Sequence, residues 1–214
     1  MLVAVNIFLI IALGYLFGSI PTAIIMGKAL RGIDIREHGS GNAGGTNVFR
    51  VLGWKPGVAV ILIDMLKGAI ATIFVPRLVL SALPIEPIYL SLLAGFAAIA
   101  GHIWTIFAHF RGGKGVGTAA GMLFGLVPIA ATICLAIFFI IAFATRYVSL
   151  ASMTAAVALP LVNGILEFAF NQPQPAALHI LSIILALLIV FTHRSNIKRL
   201  LNGTENRFGQ KQTG

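Results

Sequence analysis

Charged residues are scarce in this chain: Asp, Glu, Lys and Arg make up 10% of its 214 residues, against 58% hydrophobic ones. With a mean hydropathy of +0.99, that balance excludes an ordinary soluble domain. Acidic residues are scarcer still, six against 15 basic, which leaves a net charge of +9. The basic excess has no polar domain face to carry it, so nucleic acid is excluded as a partner. The one cysteine, Cys134, lies inside an apolar run. It rules out an intramolecular disulfide, and without a Cys/His cluster neither a metal nor another cofactor is expected. The first residues, Met1-Leu2-Val3-Ala4-Val5-Asn6, also lack the basic region of a secretory signal. Their apolar stretch runs to about residue 27, too long for a signal core, and reads as an uncleaved first span.

What is present in abundance is apolar length. About 20 apolar residues cross a bilayer core, and the runs predict spans at 3–27, 56–76, 86–107, 115–128, 129–146, 150–168 and 176–192. The stretch 115–146 reads as a helical hairpin turning near Pro128. Seven spans put the termini on opposite sides. Loops 28–55, 108–114 and 146–149 and the tail 193–214 then share one side, and carry all but Lys67 and Arg77 of the 15 basic residues. Positive charge marks the cytoplasmic side. The predicted fold is therefore an all-α polytopic membrane protein, a single integral-membrane domain over 1–214 with about seven transmembrane helices, its N-terminus outside and its C-terminus cytoplasmic.

Three polar islands interrupt the apolar sequence, all on the basic side. The first is Gly39-Ser40-Gly41-Asn42-Ala43-Gly44-Gly45-Thr46-Asn47, followed by Arg50. Glycines let a backbone curl until its N–H groups converge on an anion, and Arg50 adds a bidentate phosphate partner. Gly39-x-Gly41-x-x-Gly44 matches the dinucleotide fingerprint literally, but a membrane span precedes it where a strand is required. Asp64 and Lys67, mid-span at i and i+3, read as a structural ion pair. Arg36, Glu37 and His38 read as solvated interface residues.

The second island runs from Gly101-His102 to Phe110-Arg111-Gly112-Gly113-Lys114-Gly115-Val116-Gly117-Thr118. It is not a Walker A loop, because Gly115 stands where Ser or Thr is required. Lys114, between glycines at the start of a span, joins a cation to helix N-terminal amides. His102 is either a helix-contact histidine or part of the site. The third island, His193-Arg194-Ser195-Asn196-Ile197-Lys198-Arg199 through Glu205, begins where the last span ends. On a continuing helix His193 and Asn196 share a face. His193 is placed to orient or deprotonate a hydroxyl, and Glu205 to brace a basic residue.

In order and spacing these islands resemble the bacterial membrane acyl-phosphate:glycerol-3-phosphate acyltransferases. That family carries a Gly-Ser-Gly-Asn-x-Gly-Ala-Thr-Asn…Arg loop, a Gly-His…Lys-Gly-Gly-Lys-Gly-Val-Ala-Thr loop and a His-Arg-x-Asn-Ile-x-Arg-Leu…Gly-x-Glu terminus. The likeness covers residues 39–205. Gly45 and Gly117 replace alanines, Arg111 replaces lysine, and Thr105 stands where a proline is usual. The resemblance implies transfer of a long-chain fatty acyl group from acyl phosphate to the sn-1 hydroxyl of glycerol 3-phosphate. Lysophosphatidic acid and phosphate would be the products, as the first step of phospholipid synthesis in the bacterial inner membrane. It implies Lys114, His193, Ser40 and Arg50 as catalytic residues. Gly41, Asn42, Gly44, Thr46, Asn47, Gly113, Gly115, Asn196 and Arg194 would bind substrate at the cytoplasmic face, and membrane lipid would surround the acyl tail. Two bases stay open, His193 and a phosphate oxygen of the donor. The alternative is a membrane transporter for an organic phosphate, which would place helix breaks near the midplane of two related repeats. An acyltransferase with a His-x4-Asp pair is excluded, since no histidine has an aspartate five residues on.

Overall fold

In lipid a backbone must satisfy its own hydrogen bonds, so the long apolar runs fold as helices. The computed structural model describes residues 1–78, 84–171 and 173–209, and among these there is no strand. Two compact units follow each other along the chain, Met1–Leu126 and Val127–Gly214.

The first unit holds α1 (Leu2–Gly18), α2 (Thr22–Arg31), α3 (Gly45–Leu52), α4 (Trp54–Phe74), α5 (Pro87–Ile103) and α6 (Val116–Leu126). Small residues bring these helices close. Gly14 and Gly18 of α1 lie directly on Ala94 and Ala98 of α5, with no room for a Cβ. In the same way Gly68 of α4 meets the Thr118 carbonyl of α6, and Gly121 of α6 meets the Met65 carbonyl of α4. In lipid such contacts replace the hydrophobic effect as the source of helix association. Ile10, Ala71, Val75, Leu90, Ala94 and Ala98 fill the centre, while Ala23, Ile35, Ala43, Val48 and Val60 form a second cluster under the first island.

The second unit comprises α7 (Pro128–Thr145), α8 (Val148–Phe170), α9 (Ala176–Thr192) and α10 (Arg194–Leu201). Pro87 and Pro128 occupy the first turns of α5 and α7, where a missing N–H costs nothing. α8 packs against both α7 and α9. Phe143, Phe168 and Leu187 are exposed, as befits helices facing lipid. Beyond α10 the chain returns to the start of α8: Phe208 N–H donates to the Arg146 carbonyl at 2.7 Å, and the Arg207 guanidinium donates to the Tyr147 hydroxyl at 3.0 Å.

Several expected elements are corrected. The span expected at 3–27 is met by Leu2–Arg31, but its helix breaks over Ser19–Pro21, because a proline cannot supply the N–H that a continuing helix needs. The span at 115–128 is the 11-residue α6, roughly 16 Å long, about half a bilayer core. Five stretches are long and apolar enough to cross a membrane, with α1 and α2 together making one, or six when the bent pair α9–α10 counts as another. By length and composition the described residues thus provide five or six of the seven expected spans, with α6 as a further, shorter apolar helix. The expected loop 28–55 contains the two-turn α3, and the helix expected to continue through His193 bends by 59° there.

Candidate active site

The first island is a tightly bonded turn. Gly39 and Gly41 have φ of 61° and 72°, a left-handed backbone that side chains disfavour. Asn47, buried at the inner face of α3, holds the turn in shape. Its Nδ2 donates to the carbonyls of Ile35 (3.0 Å) and His38 (2.9 Å), and its Oδ1 accepts from Ser40 N–H (2.8 Å). Gly44 is extended and opens α3, so the loop delivers its chain to a helix N-terminus, where amides await an acceptor. Thr46 and Arg50, at i and i+4, share one half-exposed face of α3. Ser40 and Asn42 are half-buried at the same end.

Arg36 is not the solvated residue expected from sequence. Its guanidinium pairs with Asp34 at 2.7 Å and donates to the Ala108 carbonyl at 2.9 Å, tying the first island to the second. The Arg36 hydrogen bond holds the Asp34 carboxyl down at a pKa of about 2.

The second island is folded back onto the end of α5. Gly112 N–H donates to the Ile103 carbonyl and Gly113 N–H to the His102 carbonyl. Gly113 lies against the His102 ring and the Ala43 carbonyl, so a side chain at 113 has no space. Gly115, with φ 85°, turns the chain into α6, and Lys114 stands half-buried just before it. Thr105 explains one departure from the family pattern: its φ of −68° is the angle proline would impose. Its hydroxyl donates to the Ser19 carbonyl at the break in the first span.

Under the second island is a buried polar cluster that the sequence showed only in part. Asp64 pairs with Lys67 at 2.8 Å, as the i,i+3 spacing predicts, but it also accepts from the Thr22 hydroxyl (3.0 Å) and has His102 Nδ1 at 3.5 Å. Lys67 donates to the Ile20 carbonyl, released by the break between α1 and α2. His102 therefore belongs to a network joining α2, α4 and α5. The signal that could have found it was Ser19-Ile20-Pro21, a helix break that leaves a carbonyl needing a donor.

In the second unit, His193 is buried at the bend, and its Nδ1 is 2.8 Å from the Ile189 carbonyl. A carbonyl only accepts, so Nδ1 carries the proton and a neutral ring keeps its lone pair on Nε2. Asn196 is buried and its amide donates to Glu205 at 2.7 Å. Glu205 also accepts from Arg199 (2.7 Å) and Ser149 (2.9 Å). Burial pushes its carboxyl up, but hydrogen bonds from Asn196, Arg199 and Ser149 outweigh that and hold it below the usual range. The expectation that Glu205 braces a basic residue is met by Arg199. Ser149 was missed; a lone serine at a helix start gives no sequence signal. Arg194 is exposed, stacked 4.8 Å over the Phe191 ring.

A family model described as glycerol-3-phosphate acyltransferase matches residues 8–203. The chain belongs to the glycerol-3-phosphate acyltransferase family. A glycerol-3-phosphate acyltransferase of Chlorobium phaeobacteroides (strain DSM 266) is 48% identical over 222 residues, covering 92% of this chain and 94% of its own. One from Chlorobaculum tepidum is 49% identical over 225 residues, covering 94% and 97%. Among solved structures, PlsY (YgiH), an integral membrane glycerol 3-phosphate acyltransferase, is similar in two crystal structures. Its glycerol 3-phosphate form has a TM-score of 0.81 at 39% identity, over 95% of this chain and 96% of that one. Its lysophosphatidic acid form has a TM-score of 0.78 at 38% identity, over 95% of each. Membership of the glycerol-3-phosphate acyltransferase family makes the chain an acyltransferase and a membrane protein, and favours the enzyme over the transporter.

Proposed function

We propose that this enzyme transfers a long-chain acyl group from acyl phosphate to the sn-1 hydroxyl of glycerol 3-phosphate. The hydroxyl oxygen attacks the acyl carbonyl carbon, a new C–O bond forms, and the bond from that carbon to the phosphate oxygen breaks. Phosphate leaves with the electron pair. The hydroxyl proton passes to a phosphate oxygen of the donor, or to His193. No metal or cofactor is required, because the donor is already activated.

The observation that carries this reading is the meeting of two anion-suited loops in the first unit. The Gly39–Thr46 turn and the Gly112–Lys114 turn touch at Ala43 and Gly113 and are tied by Arg36 to Ala108. Two phosphate-bearing substrates call for two such cradles. Ser40, Gly41, Asn42, Gly44, Thr46 and Arg50 serve one anion, and Asn47 shapes that turn. Gly113, Lys114 and Gly115 serve the other and stabilise charge as phosphate departs. From the second unit we assign His193 and Asn196 to the same reaction, with Arg194 as a cation at the membrane surface. Residues 1–214 then act as one catalytic domain. The charge asymmetry supports a bacterial inner-membrane location with these islands facing the cytoplasm and the N-terminus outside.

One assay decides the donor. Purified protein is incubated with glycerol 3-phosphate and either acyl phosphate or acyl-CoA, following phosphate or CoA release. Acyl phosphate is expected to turn over; release of CoA alone overturns the proposal.

A further inference from the structure

We infer that Asp64 and His102 are positioning residues for the Lys114 loop, acting in series from the break in the first span. The inference rests on the reading that Lys114 contacts a reacting anion. Three observations carry it. His102 clamps the second island from two sides, since its main-chain carbonyl accepts from Gly113 N–H at 3.1 Å while its ring fills the space beside the Gly113 Cα. The orientation of that ring is set from behind, by Asp64 Oδ1 at 3.5 Å from Nδ1. Asp64 is in turn fixed by Thr22 and Lys67, and Lys67 is anchored on the Ile20 carbonyl. Every side chain in this series is buried, from Thr22 at 8% exposure to Asp64 at 3%.

A merely structural ion pair needs only Asp64 and Lys67. The added histidine and the glycine that admits it make the pair a mount for the residue next in sequence, Lys114. A cation held beside an anion loses effect steeply when displaced by about 1 Å. Loosening the mount therefore lowers turnover more than ground-state affinity.

The test compares the full-length purified enzyme with H102Q, with D64N/K67M, in which neither charge is left alone, and with the triple variant. Each is assayed for kcat and KM with acyl phosphate and glycerol 3-phosphate, with the folded fraction measured by gel filtration and thermal unfolding. H102Q and D64N/K67M are each expected to lower kcat about tenfold, with KM for glycerol 3-phosphate within about threefold. The triple variant is expected to be no slower than the worse of the two, because one path carries both effects. A kcat within twofold of wild type at equal folded fraction overturns the inference. So does a triple variant whose loss is the product of the separate losses, or a loss confined to KM. Should D64N/K67M fail to fold, H102Q decides alone, since it leaves the ion pair intact. Wild-type protein that never turns over acyl phosphate would instead bring down the proposed function.

Discussion

Glu205 accepts three hydrogen bonds from Asn196, Arg199 and Ser149, and a carboxylate so occupied does not take a proton at neutral pH. Its folded pKa is depressed, so its contribution to stability is present above the ordinary value of about 4.3 and is lost as pH falls through and below it. Wild-type protein should therefore unfold at lower temperature as pH falls through that window. Glu205→Gln should lose this part of the pH dependence and be about 3 kcal/mol less stable at pH 7, as expected when charged hydrogen bonds to buried donors are removed. Asp34, held near 2 by Arg36, adds a further loss in the same direction between about pH 4 and pH 2. His193 separates the two possible bases. With the donor phosphate as base, His193→Gln retains activity within a few-fold of wild type in the phosphate-release assay; a loss of a thousandfold or more at equal folded fraction would make His193 the base.

Helices α4, α5, α7, α8 and α9 fall where the apolar runs put them, within a few residues. Hydropathy sees transfer energy, and long runs leave little doubt about that. It is blind to the break at Ser19–Pro21, because interrupting the hydrogen bonds of an apolar helix leaves its apolarity unchanged. It also overextended α6, whose limits are set by the left-handed Gly115 and by Val127 rather than by polarity. α3 escaped notice because eight residues, Gly45–Leu52, with an inner face of Gly45, Asn47 and Val48 look like loop composition. The α4–α6 contact supplies a prediction for this scale. Gly121→Leu drives a side chain into the Met65 carbonyl. Overpacking of that kind costs about 1–3 kcal/mol or more, so the variant should unfold at lower temperature while Ala120→Leu, in its half-buried position, has a smaller effect.

At the scale of the whole molecule the sequence offers three candidate motifs, and the contacts each of them makes were illegible in it. Glycine-rich turns with Arg50, Lys114 and His193 declare anion chemistry by residue type. Nothing in the sequence shows that Arg36 reaches Ala108 or that Asn47 spends its amide inside the turn, because both depend on how distant segments pack. Sidedness is the prediction proper to this scale. With Cys134 replaced by Ser, a cysteine at Gly209 should react with a membrane-impermeant maleimide only in inverted vesicles, and one at Leu2 only in intact cells; the reverse pattern would invert the proposed orientation. The Asp64–Lys67 pair has a consequence for biogenesis. Carried singly to the middle of an inserting helix, either charge would oppose entry by about 2.5–3.5 kcal/mol. At i and i+3 they neutralise each other within α4 itself, so that helix can leave the translocon for lipid without first finding a partner on another helix. Lys67 and Asp64 then still have the Ile20 carbonyl and the Thr22 hydroxyl to capture, which lets α4 dock onto a first span already in place.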